Sequence, residues 1–114
     1  MIYATGDTHG NFQRFALEHF PEQARMTRDD YIIICGDFGG VWDGSKNDVR
    51  GLDWLEHLPF TTLFVSGNHE NFDLLEQYPV EEWNGGKIQR IRPHVIHLMR
   101  GQIFDLQGYS FFAM

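Results

Sequence analysis

Tyr31-Ile32-Ile33-Ile34-Cys35-Gly36-Asp37-Phe38-Gly39 decides the fold. A tyrosine and three isoleucines in a row suit a strand buried on both faces, and the Gly-Asp that follows ends it at a loop. Ile2 to Thr5 ends the same way at Gly6-Asp7, and Thr61 to Ser66 ends at Gly67-Asn68. The segments between them have helical spacing, with Phe12, Phe15, Ala16 and Phe20 in the first and Leu52, Leu55 and Leu58 in the second. A third helix is expected over Asn71 to Tyr78, with Leu74, Leu75 and Tyr78 inward. This order predicts an α/β fold built on a parallel βαβαβ unit, whose ligands gather beyond the C-terminal strand ends.

After Trp83 the texture changes. Asn84-Gly85-Gly86 signals a turn, and Lys87 to Ile91, His94 to Met99, Gln102 to Leu106 and Tyr109 to Ala113 read as shorter strands. Tight turns at Arg92-Pro93, Arg100-Gly101 and Gln107-Gly108 join them into an antiparallel meander. No repeat, linker or low-complexity tract interrupts residues 1–114, which read as a single domain.

An apolar fraction of 42% with ten phenylalanines argues for a packed core. No apolar run is long enough for a membrane helix, and the N-terminus lacks a basic, hydrophobic leader. The lone Cys35 fits a reducing cytoplasm, the expected location. A net charge of −7 and the lack of a dense Lys/Arg patch argue against a grip on nucleic acid; carboxylates in excess instead suit divalent cations.

Three loops carry the chemistry: Gly6-Asp7-Thr8-His9-Gly10, Gly36-Asp37-Phe38-Gly39 and Gly67-Asn68-His69-Glu70. Each alone is an ordinary turn, but three at successive strand ends converge on one sheet edge. Asp7 and His9, two residues apart, place a carboxylate oxygen and an imidazole nitrogen within reach of one ion at about 2.0 to 2.2 Å.

On these blocks the chain resembles the calcineurin-like metallophosphoesterase superfamily, whose pattern runs Asp-x-His, Gly-Asp, Gly-Asn-His-Glu/Asp, a lone His, then Gly-His-x-His. The resemblance implies the N-terminal half of an α/β/β/α sandwich. It also implies two divalent metal ions (Mn, Fe or Zn), with Asp7 and His9 on the first, Asp37 bridging both and Asn68 on the second. His69 would stabilise the transition state and protonate the leaving group, while a metal-bridging hydroxide attacks phosphorus in a phosphomonoester or phosphodiester.

The substrate would be a phosphorylated small molecule or phosphoprotein. Asp37 is followed by Phe38-Gly39-Gly40-Val41-Trp42 where the phosphoprotein phosphatases of this superfamily carry Asp-Arg-Gly, so their phosphate-gripping arginine has no counterpart in this block. Trp42, with Asp43, is expected to border a differently shaped cleft and to touch substrate.

No Gly-His-x-His block follows, so the chain reads as a partial domain lacking the C-terminal ligand blocks. The alternative reading is therefore a non-catalytic fragment or binding module with an incomplete metal site. His94 and His97 are the only later histidines, and a structural imidazole is the commoner reading of each. Cys35 reads as a small core residue, His19 and His57 as structural, and Arg50 as a solvated helix-start residue. The two phenylalanines near the end of the chain predict an adhesive edge and self-association through the C-terminal strands.

Overall fold

Along Tyr31–Cys35 the isoleucines divide between two layers, because successive strand side chains point to opposite faces. Ile32 and Ile34 join a core with Phe12, Phe15, Leu52, Leu55 and Phe64, whereas Ile33 joins Leu63, Ile88, Ile96, Phe104 and Leu106. The middle of the sheet is thus buried on both sides, while its edge strands are largely exposed. In this computed structural model residues 1–67 and 70–113 are described.

The strands are β1 (Ile2–Thr5), β2 (Tyr31–Cys35), β3 (Thr61–Val65), β4 (Val80–Trp83), β5 (Gly86–Arg92), β6 (Val95–Leu98), β7 (Ile103–Leu106) and β8 (Tyr109–Phe112). The helices are α1 (Lys46–Glu56) and α2 (Phe72–Leu75). The main sheet runs β1-β2-β3-β6-β5-β4, and β7-β8 form a separate hairpin. β1, β2, β3 and β6 are parallel, in the register Thr5↔Ile34↔Phe64↔His97. Their C-terminal ends therefore share one edge, where the three loops emerge. Helices cover one face of this sheet and the β7-β8 hairpin the other.

The α/β class and the parallel unit agree with expectation, and the meander is modified. β6 returns to pair with β3, welding the antiparallel strands β5 and β4 onto the parallel ones. β4 was not foreseen, because Val80-Glu81-Glu82-Trp83 is exposed along most of its length and shows no apolar alternation. Asn84 and Gly85 at φ 50° and 94°, and Gln107 and Gly108 at 52° and 84°, supply the left-handed pairs that close two-residue hairpins.

The first expected helix does not form. Phe12 to Phe20 contains one 3₁₀ turn, Gln13–Phe15, and a second follows at Pro21–Arg25. Ala16 is already extended (φ −65°, ψ 149°), and Phe20, which precedes Pro21, sits at φ −139°, ψ 72°. Proline keeps the residue before it out of the α region, which accounts for Phe20 but not for Ala16, and the apolar spacing is met by 3₁₀ turns. Phe12 and Phe15 still enter the core, while His19, expected on the apolar side, is exposed beside Glu18 at 3.4 Å. The third helix is shorter than expected: only Phe72–Leu75 is α-helical, capped by Asn71, whose side chain accepts the Leu74 N–H.

Candidate metal centre

Backbone hydrogen bonds join the first two loops before any side chain is considered. The N–H groups of Thr8 and His9 both donate to the Asp37 carbonyl, at 3.1 and 2.9 Å, and Gly10 N–H donates to that of Phe38 at 2.9 Å. The buried Thr8 hydroxyl donates to the same Phe38 carbonyl at 2.7 Å. This pairing holds His9 at φ 49°, a left-handed conformation uncommon for residues other than glycine. The ring is thereby turned toward Asp7 and Asp37.

His9 Nε2 lies 3.6 Å from Asp7 Oδ2 and 4.0 Å from Asp37 Oδ2, and one donor atom from each residue falls within 4.8 Å of the others. Three ligands about 2.1 Å from one ion stand about 3 to 4 Å apart, so the set fits a single divalent cation after a small side-chain adjustment. Mixed oxygen and nitrogen donors suit Mn, Fe or Zn. Asp7 and His9 are exposed and Asp37 is half-buried, which leaves the site open to substrate.

Two glycines make the convergence possible. At Gly36, φ 96°, a side chain would be strained and would meet Asp7 Oδ1 at 2.6 Å; at Gly67 a Cβ would lie 2.1 Å from Asp37 Oδ1 and 2.3 Å from Asp37 N. The third loop thus packs directly on the backbone and carboxylate of Asp37. Asn68 and His69, the remaining predicted ligand and acid, lie outside the described residues.

Glu70, quoted in its block but given no role from sequence, ties the third loop to the second. Its buried carboxylate accepts the Phe38 N–H at 3.0 Å and the Gly39 N–H at 2.7 Å, with a further bond from the Gly67 N–H. Burial raises its pKa, the three N–H groups oppose the rise, and nearby Asp37 adds to it. Two arginines were also missed. Arg14 donates to Thr5 Oγ1 and the Asp7 carbonyl, both at 2.9 Å, and Arg100 donates to the Ser66 carbonyl at 2.6 Å. Each braces a ligand loop from a neighbouring turn, a relation that no local spacing reveals.

Neither later histidine joins the Asp7, His9 and Asp37 group, although His97 is in register with Thr5, Ile34 and Phe64 near the C-terminal strand ends. His94 precedes β6 at the opposite end of the sheet, where its Nδ1 and backbone N–H each lie 2.6 Å from a Glu56 oxygen. His97 is buried in β6, stacked on Phe64 at 4.9 Å, with Nδ1 2.8 Å from Gln89 Oε1. The Gln89 amide donates to the Leu75 and Tyr78 carbonyls, so its oxygen faces His97 and Nδ1 carries the proton. Burial, with a smaller contribution from Arg100, lowers the His97 pKa to about 4. Both rings are engaged through Nδ1 by a neighbouring side chain, while the buried His97 Nε2 has no hydrogen-bond partner among the described residues. His57 caps the end of α1, its Nδ1 2.7 Å from the Asp53 carbonyl.

Cys35, expected in the core, is exposed. It lies on the Ile33 side of β2, beyond the cover of the hairpin, and what burial it has raises its thiol pKa. A nucleophilic role gains no support. Trp42 is 52% exposed and lines a cavity of about 410 Å³ that begins at His9 and Gly10; Arg50 is exposed on α1 and is not among the lining residues.

The model of the calcineurin-like phosphoesterase family matches residues 1–111. No match was found among curated proteins or among solved structures. With a match over nearly its whole length, and with Asp7, His9 and Asp37 gathered where parallel strands end, the chain belongs to the calcineurin-like phosphoesterase family, at whose level metal-dependent phosphoester hydrolysis is the shared chemistry.

Proposed function

We propose that the protein hydrolyses a phosphomonoester or phosphodiester using two divalent ions, Mn, Fe or Zn. The observation that carries this reading is the approach of Asp7, His9 and Asp37 donor atoms to within 4.8 Å on a His9 backbone held at φ 49°. Asp7 and His9 would hold the first ion, Asp37 would serve both, and Asn68 would serve the second. Bound ions of this kind supply a hydroxide nucleophile at neutral pH and a Lewis-acid grip on phosphoryl oxygen.

The chain's own residues do the rest. The backbone pairing at Asp37 and the Glu70 bridge fix the ligand loops before substrate arrives, so little reorganisation is needed at the moment of reaction. His69 delivers a proton to the leaving oxygen, and Trp42 lines the side on which the rest of the substrate lies. The open edge suits a phosphorylated small molecule or a phosphorylated side chain on a protein.

Counting ions by elemental analysis while following hydrolysis of a generic aryl phosphate tests this reading. Two ions per chain with turnover are expected. One weakly held ion without turnover would favour the second reading, a binding module, which the exposure of Asp7 and His9 makes concrete. Self-association through β7-β8 is a separate proposal, supported by exposed Ile103, Tyr109 and Phe112. Mass in solution tests it: Phe112→Lys is expected to shift an oligomer toward monomer, and a wild-type monomer would count against it.

A further inference from the structure

The loop after the Asp37 block presents an exposed indole, yet it is fastened on both sides. A single oxygen of Asp48, on α1, accepts the N–H groups of Trp42, Asp43 and Gly44 at 2.7, 2.9 and 2.9 Å. From the cap of α2, Asn71 donates its amide to the Trp42 carbonyl at 2.6 Å and its N–H to that of Val41 at 3.2 Å. Val41 is buried while Trp42 is half out in solvent. A rigid mount for a half-exposed tryptophan is a built platform, since water offers an indole little reason to be held there.

The platform faces the cavity of about 410 Å³ that starts at His9, large enough for a ring-bearing group and its substituents. Its charged lining beyond His9 consists of Asp43 and Asp48, and no lysine or arginine is among its described lining residues. Asp43 is anchored through Oδ1 by the Ser45 N–H at 2.9 Å, and its hydrogen bonds to Ser45 hold its carboxyl below the usual range. Away from the metal edge, an anion entering here meets two carboxylates and no lysine or arginine among the described lining residues, whereas an ammonium or guanidinium meets an aromatic face and an aspartate.

Resting on the phosphoesterase reading, we infer that this cavity is the subsite for the alcohol part of the substrate, and that it selects a cationic, ring-bearing alcohol over an anionic one. Its phosphoester sits at the metal edge beside His9, and the organic cation lies against Trp42 and Asp43. Phosphopeptides with acidic flanks and compounds bearing a second phosphate are disfavoured substrates.

The test uses three aryl phosphates of matched leaving-group pKa, carrying a trimethylammonium, a neutral or a carboxylate substituent, on the metal-loaded protein at low salt. The cationic substrate is expected to exceed the anionic one about tenfold in kcat/KM, the scale of one cation–π contact with a nearby carboxylate. Asp43→Asn should narrow that ratio about threefold, and raised salt should narrow it as well. In parallel, the dephosphorylated trimethylammonium phenol is titrated against tryptophan fluorescence of wild type and Trp42→Phe; quenching in the first and not the second is expected. Hydrolysis with no charge preference, or with the anion preferred, overturns the subsite and leaves the phosphoesterase reading standing. No hydrolysis of any of the three counts against that reading instead. The fluorescence arm then decides the cavity by itself, and absence of quenching in wild type overturns it.

Discussion

Histidine meets carboxylate at both ends of the central sheet, and the two meetings differ in spacing. At the loop end His9 Nε2 stands 3.6 Å from Asp7 and 4.0 Å from Asp37, too far for a hydrogen bond and suited to atoms that share an ion. At the far end His94 Nδ1 is 2.6 Å from Glu56, which also takes the Arg28 guanidinium at 3.1 Å. The far cluster is satisfied by direct contact and joins β6 to α1. The near cluster keeps its donor atoms apart, on a strained residue and against glycines that admit no side chain. Residue type alone does not separate the two clusters; the spacing of their atoms does.

The largest difference between the two ends is expected from Asp37→Asn. Removing a charge that both ions would share should lower metal content and activity together, beyond the roughly 100-fold that outer-shell substitutions typically cost. Unchanged stoichiometry in elemental analysis would contradict the assigned role. The equivalent change at the far end, Glu56→Gln, should leave metal content as it is.

His97 stands between the two ends on β6, and its effect should appear in stability. The imidazole has a folded pKa near 4 against 6.5 unfolded, so between these values the unfolded chain takes up a proton that the native state refuses. Stability therefore rises with pH across this window and is lost on acidification, by about 3 kcal/mol in all. Denaturation curves from pH 7 to 4 should show the loss, and His97→Gln should flatten it. An equal slope in the variant would show that the proton is taken up elsewhere.

Glu70→Gln sharpens the account of the loop end. One amide oxygen replaces two carboxylate oxygens, leaving the Phe38 and Gly39 N–H groups to share it, and metal affinity is expected to fall about 10- to 100-fold. Unaltered affinity would mean that Asp37 is positioned without the bridge. The smallest expected effect is that of Glu56→Gln on stability, about 1 to 2 kcal/mol at neutral pH. Burial would raise the Glu56 pKa, but hydrogen bonds from His94 and Arg28 prevail and hold it below 4.5. That contribution is present above the carboxylate range and disappears as pH falls through the folded pKa, so the difference between wild type and variant should vanish in acid.

The parallel strands were legible because each is a short run rich in β-branched or aromatic residues closed by Gly-Asp or Gly-Asn, and that punctuation also placed Asp7, His9 and Asp37 at one edge; the expectation that all three would be buried fails at β1, an edge strand whose Tyr3 and Ala4 are exposed. Local signals failed where the outcome depended on a neighbour. The spacing from Phe12 to Phe20 was apolar enough for a helix, yet the chain is already extended at Ala16, and Pro21 bars the α region only at Phe20. β4 carries its glutamates outward and exists through its pairing with β5. Glu70 and Arg100 act across loops more than thirty residues apart, and their contacts exist only once the sheet has formed, while Arg14 reaches back within its own loop to Asp7.

The central claim is that His9, and not His94, belongs to a metal centre. Elemental analysis of manganese-reconstituted wild type, His9→Gln and His94→Gln, with unfolding curves to confirm that each variant is native, tests it most directly. His94→Gln is expected to keep the wild-type ion count and His9→Gln to lose at least one equivalent. Full metal content in His9→Gln, with loss in His94→Gln, would contradict it.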